Sequence, residues 1–113
     1  MKKNVVVNES IPYFENQEIL GKGVIPDEAF YGSTNLKHIQ LGEDIRVIGT
    51  RAFADCSNLE SITLPKSCDA ILEKAFANCT NLKSVWISGD VKYIAEDAFE
   101  NCDNLEIKYS GRK

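Results

Sequence analysis

The 113-residue sequence has one histidine, His38, one tryptophan, Trp86, three prolines and seven glycines. A single histidine rules out a metal cluster built on several imidazoles, and any Ser-His-acid arrangement would have to be assembled around His38 alone. Glycine is too sparse for a phosphate-binding loop, because Gly21-Lys22-Gly23 lacks the spacing that lets backbone amides wrap a phosphate. Long apolar runs are missing as well. The amino terminus opens with Lys2 and Lys3 like an export signal, but its apolar run ends at Val7, before Asn8 and Glu9. An export signal needs roughly 7–15 apolar residues, and a membrane helix needs roughly 18. Basic charge is in deficit: 13 Lys and Arg stand against 17 Asp and Glu, giving a net charge of −4 and a pI near 5.0. That balance works against a general nucleic-acid or anionic-membrane binder. The expectation is a cytoplasmic chain, with a surface or secreted location only if a leader has been removed.

What is present is a repeat. Ala29-Phe30, Ala52-Phe53, Ala75-Phe76 and Ala98-Phe99 stand 23 positions apart, as do Asn35, Asn58, Asn81 and Asn104, each directly before a leucine. Self-similarity at a period of this length is the signature of a solenoid, in which each unit buries its apolar face only by stacking on its neighbours. Each unit makes three passes. The first, at Leu36 to Leu41, Leu59 to Leu64 and Leu82 to Ile87, alternates apolar and polar residues as a half-buried strand does. The second is a short extended piece with apolar residues three apart: Ile45 and Ile48, Cys68 and Ile71, Val91 and Ile94. The third, near Thr50–Cys56, Glu73–Cys79 and Asp97–Cys102, reads as one or two helical turns with acids and capping oxygens at the entry.

The predicted architecture is therefore an α/β repeat solenoid of about 3.5 coils, with a parallel strand sheet, short helices on the convex side and an amino-terminal cap. Residues 1–24 form the cap, with Val5–Val7 and Ile11–Phe14 as a hairpin over the open end. Residues 25–109 form the solenoid, with units starting near 29, 52, 75 and 98, and residues 110–113 form a disordered tail.

The segment Ala52-Phe-Ala-Asp-Cys-Ser-Asn-Leu-Glu-Ser-Ile-Thr-Leu-Pro65, repeated less completely from Ala75 to Ile87, resembles the 23-residue leucine-rich repeats of the BspA-like, Treponema pallidum-type class. The resemblance covers about residues 25–105. It implies a leucine-rich-repeat fold and a role in protein binding, since members of that class are commonly bacterial or protist surface proteins that contact host proteins or other cells. This chain departs from them in having no visible export signal and few coils.

Two polar columns belong to the scaffold. Cys56, Cys79 and Cys102 recur at the repeat spacing, and Cys68 takes a core position; free cysteine is a common buried residue, and zinc sites pair their ligands at short spacings, so these are read as structural thiols. Asn35, Asn58, Asn81 and Asn104 sit where the chain turns into the strand, a position for a side chain that tolerates unusual backbone angles and satisfies loop amides. No cofactor, metal or catalytic set is expected. His38 stands adjacent to Ser61, with Ser84 beyond, but no acid in the strand is placed to orient the histidine, so the chain is read as non-enzymatic.

The outward strand positions carry the candidate function. One column, Lys37, Glu60, Lys83 and Glu106, alternates in sign and reads as a register device. A second is His38, Ser61 and Ser84; a third is Gln40, Thr63 and Trp86, continued by Tyr109. A large aromatic pointing out of a polar strand face suits a protein interface. Partner binding is therefore assigned to Trp86, Tyr109, Gln40, Thr63, Ser84 and His38, with the partner another protein. The alternative is a small soluble inhibitor or regulator, mobile-element encoded for example, that occludes a partner through Asp27, Glu28, Glu73, Glu96 and Asp97; a third reading is a fragment of a bacterial surface adhesin. The last coil breaks register, because Lys108 stands where the column wants isoleucine. Either the strand slips by one and buries Ile107, or Ile107 and Tyr109 lie exposed beside Trp86, leaving an edge for strand addition or homodimerisation.

Overall fold

The computed structural model describes residues 5–7, 23–42, 45–87, 89 and 91–109. Alternation of apolar and polar residues makes strands of His38–Leu41 (β3), Ser61–Leu64 (β5), Ser84–Ile87 (β7) and Glu106–Tyr109 (β9). The second pass gives the two-residue strands Val24–Ile25 (β2), Val47–Ile48 (β4), Ala70–Ile71 (β6) and Tyr93–Ile94 (β8). Stacking of successive coils produces two parallel ladders, β3-β5-β7-β9 and β2-β4-β6-β8. Their register is the sequence period made physical: Ile39 pairs with Ile62 and Ile62 with Val85, while Ile25, Ile48, Ile71 and Ile94 form a second column.

Val5–Val7 (β1) adds to the first sheet as an antiparallel strand, with Val7 opposite Ile39 and Val5 opposite Leu41. A strand at the amino-terminal edge is thus present, whereas Ile11–Phe14, the other half of the expected hairpin, lies outside the described residues. The parallel ladder already includes Val24, one residue before the expected boundary of the solenoid.

The third pass differs from the sequence expectation. Among the described residues it contains no helix; it is a run of tight turns. Glu28, Arg51 and Lys74 adopt φ of 62°, 56° and 55°, and four positions after each of them Gly32, Asp55 and Asn78 adopt 72°, 61° and 63°; Asn101 in the last coil adopts 64°. A left-handed residue every fourth position cannot continue a right-handed helix. The amides instead alternate between two destinations. Those of Ala52 and Ala54 close local turns onto the carbonyls of Gly49 and Arg51, while that of Phe53 donates to Ala75 of the next coil at 2.7 Å. The same inter-coil bond links Phe30 to Ala52 and Phe76 to Ala98, so this side of the solenoid has its own hydrogen-bond ladder.

Inside the three-sided coil the phenylalanines stack face to face, with ring centroids 5.1 Å apart for Phe30–Phe53 and 5.2 Å for Phe53–Phe76 and Phe76–Phe99. The small residues Ala52, Ala75 and Ala98 are fully buried beside them, which lets the turn arm approach the strands. Leu36, Leu59, Leu82, Ile62 and Leu64 complete a continuous core. Burial of each large apolar side chain stabilises by about 1.5–3 kcal/mol, and most of them obtain it only from the coil above or below.

The last strand resolves the register question in favour of the slip. Ile107 pairs with Val85 and Tyr109 with Ile87, one residue short of the repeat spacing, so both turn inward and Glu106 and Lys108 turn outward. Neither is buried, because among the described residues nothing stacks beyond them: Ile107 is 37% and Tyr109 65% exposed.

Candidate functional site: the outer strand face

The outward residues of the first sheet project from strands whose inward neighbours, Ile39, Leu41, Ile62, Leu64, Val85 and Ile87, are buried. Their backbones are fixed by the parallel ladder, so the columns are rigidly spaced, about 4.8 Å per rung. One column runs His38, Ser61, Ser84, Glu106 and the next Gln40, Thr63, Trp86, Lys108. Trp86 is 37% exposed, the largest outward side chain of the face. The Lys108 ammonium lies 5.4 Å from the centre of its ring, a cation–π approach, and is also 3.6 Å from Glu106 Oε1.

The structure brings His38, Thr63, Ser84 and Trp86 onto one face as expected, with Gln40 opposite Thr63 in register. Tyr109 is not in the Trp86 column. The slip puts Lys108 there and moves Tyr109 to the end of the inward column of Leu64 and Ile87. The signal for this was in the sequence, since Glu106 to Tyr109 alternates polar and apolar with a phase opposite to the repeat. The alternating charge column also departs from expectation: among the described residues no ion pair joins Lys37, Glu60 and Lys83, and Glu60 Oε1 instead lies 3.8 Å from His38 Nε2. On the other side of that ring, Nδ1 shares a 2.8 Å hydrogen bond with the Ser61 hydroxyl. An acid therefore does reach the histidine, contrary to the sequence reading. The Glu60 and His38 side chains are 43% and 49% exposed, however, so water competes for every polar contact of this string.

The cysteines behave as read, but the asparagines before the leucines do not: none of them has a positive φ, and the side chains of Asn58 and Asn81 donate to carbonyls instead of accepting from loop amides. Asn58 and Asn81 donate to the carbonyls of Thr34 and Ser57 in the preceding coil at 2.7 and 2.8 Å. Cys56, Cys79 and Cys102 are free thiols that donate to the carbonyls of Phe30, Phe53 and Phe76 at 3.1–3.2 Å. Burial pushes the Cys56 and Cys68 thiols up to about 11. Cys79 is held high by its hydrogen bond to Cys102 and by burial, and the same bond lowers the half-buried Cys102. A second polar ladder escaped the sequence reading: Asn101 donates to Asn78 at 2.6 Å and Asn78 to Asp55 at 2.8 Å. Its residues differ in type and share only a tolerance of positive φ.

On the acidic side, several carboxylates serve the fold. Asp27 accepts from the Thr50 amide at 2.9 Å, Asp97 from the Lys74 amide at 3.2 Å, and Glu73 from the Tyr93 hydroxyl at 3.1 Å. The Glu73 carboxylate raises the Tyr93 phenol above its ordinary value through that bond. Lys74 Nζ reaches both Glu100, at 3.0 Å, and Asp97, at 3.8 Å. Among the described residues no group of three or more metal-binding side chains converges, and no helix is long and apolar enough to cross a membrane.

Two stacked parallel ladders, a corner in each coil where an exposed asparagine precedes a core leucine, and a polar outward strand face define a leucine-rich-repeat solenoid. The chain belongs to the BspA-type leucine-rich-repeat family, whose model matches residues 7–111 in six copies. It is similar to a leucine-rich repeat protein of Bacteroides ovatus at 26% identity and a TM-score of 0.65, over 77% of this chain and 28% of that one. A leucine-rich cell surface protein of Faecalibacterium prausnitzii is 30% identical, with a TM-score of 0.60 over 80% of this chain and 30% of that one. The leucine-rich repeat protein of Treponema pallidum is 26% identical, with a TM-score of 0.51 over 74% of this chain and 50% of that one. The chain thus spans half or less of each of these structures. No curated protein matches it.

Proposed function

We propose that this chain is a non-enzymatic protein-interaction module whose partner protein seats on the outer face of the first sheet, around Trp86. The observation that carries the reading is Trp86 itself: a large aromatic, exposed among polar side chains on a rigid sheet and braced by Lys108. An aromatic fixed before binding loses little side-chain freedom on contact, which is what makes tryptophan a frequent hot spot. Thr63 beside it in register, Ser84 on its own strand and His38 two strands away offer hydrogen-bonding groups for the rim, whereas Tyr109, turned inward by the slip, lies off this face. The family and the cell-surface relative favour a binding role over a catalytic one, and the open Glu60–His38–Ser61 string provides no enclosure in which charge could be stabilised. The reading assigns the chain to a reducing compartment, supported by its four free cysteines.

The test is capture from lysate of the source cells, or of cells they contact, with wild type, Trp86→Ala and Glu73→Lys at matched folding. The expected result is a partner held by wild type and Glu73→Lys and lost with Trp86→Ala. Retention by Trp86→Ala with loss in Glu73→Lys overturns the strand-face assignment and moves the contact to the acidic side.

A further inference from the structure

Among the described residues, the last coil of the solenoid exposes a layer of core. Ile107 and Tyr109 continue the buried columns of β7 but are open to solvent, as is Ile94 at the end of the second ladder, and Phe99 ends the ring stack only partly buried. Beside this layer runs the free edge of β9, with which no strand other than β7 pairs among the described residues. We infer that this edge pairs antiparallel with the β9 edge of a second copy of the chain, with Ile107 opposite itself, joining two solenoids end to end.

The sequence of the strand identifies the occupant. Around Ile107 the pattern is symmetric: Leu105 and Tyr109 follow the inward phase, and Glu106 and Lys108 turn outward. Residues directly opposite in an antiparallel pair share a face. With Ile107 facing itself, Glu106 meets the partner's Lys108 and Lys108 meets the partner's Glu106, giving two opposite-charge pairs by symmetry. On the inward side Leu105 meets the partner's Tyr109 and the two Ile107 side chains meet each other. The two nearest registers that keep the faces matched set Glu106 against Glu106 or Lys108 against Lys108, and like charges directly opposite are unfavourable. A two-fold contact needs one patch that complements itself, and β9 has that property in one register. The other end of the same sheet shows that the geometry is attainable, because β1 seats antiparallel on β3 there. The contact leaves Trp86 outward and sets two copies of the outer face side by side.

The experiment is sedimentation velocity and light scattering on the 113-residue chain over a concentration series, with Glu106→Lys, Lys108→Glu and the double exchange. Wild type is expected at twice the 12.6 kDa chain mass. Each single reversal turns both cross-strand pairs repulsive and weakens the dimer about tenfold, and the double exchange restores it. All three changes lie on outward positions, and unchanged melting under dilute conditions shows that folding is intact. A wild type that stays monomeric at its highest soluble concentration overturns the proposal. So does a dimer indifferent to the single reversals or not restored by the exchange. A 113-residue chain that is monomeric but dimerises once cut after Tyr109 overturns it as well. Loss of partner capture by Trp86→Ala reads out separately and does not depend on this result.

Discussion

At Asn78 a backbone need and a side-chain bond coincide. The residue sits at φ 63°, donates to Asp55 and accepts from Asn101. Replacement by glycine keeps the left-handed turn and loses the bonds, at a cost of about 1 kcal/mol. Replacement by alanine adds left-handed strain of about 1–2 kcal/mol, so Asn78→Ala is expected to melt below Asn78→Gly, the reverse of the order in a helix. The phenylalanine stack makes a larger demand. Phe53 is fully buried with a ring on either side, so Phe53→Ala is expected to cost about 3–5 kcal/mol, read as a large drop in Tm. The thiols add a pH dependence. Folding raises Cys56 and Cys68 from 9.0 to about 11, so the fold favours their protonated forms. The stability this contributes is fully present below pH 9 and is lost as pH rises through 11. Changing both to alanine is expected to flatten the decline of Tm over that window. At this scale the asparagines before each leucine were legible because one residue type recurs. The Gly32, Asp55, Asn78, Asn101 column was not, because three residue types satisfy the same backbone angle.

The strands were legible as elements because alternation is a direct consequence of the pleat. The turn arm was misread, because alanine and phenylalanine beside an acidic entry suit a helical turn as well as a chain of β-turns. What decides between them is non-local: the amides of Phe30, Phe53 and Phe76 find acceptors in the following coil, and no window of sequence contains that pairing. The β9 slip has the same origin, since Ile107 gains an inward position on Val85 by giving up the repeat spacing. Close packing between passes can be tested at Gly49, where an added Cβ would stand 2.6 Å from the Ile25 carbonyl oxygen and from Asp27 Oδ1. Gly49→Ala must displace backbone and is expected to destabilise by about 1–3 kcal/mol in chemical denaturation.

For the whole molecule, the 23-residue period dictates a solenoid, and the stacked columns realise it directly. The period says nothing about edges: the edge role of β1 and the exposed layer at Ile94, Ile107 and Tyr109 belong to the outermost strands among the described residues. Nor does it identify a binding face; it shows only which positions turn outward. Trp86 was found by that rule, whereas its bracing by Lys108 required the slip. The measurement that bears most directly on the account is partner capture by wild type and Trp86→Ala, compared with both proteins shown to be folded by identical melting curves. The account predicts a partner recovered with wild type and absent with Trp86→Ala. Equal recovery of the same partner by both would contradict it and leave the outer strand face as scaffold surface.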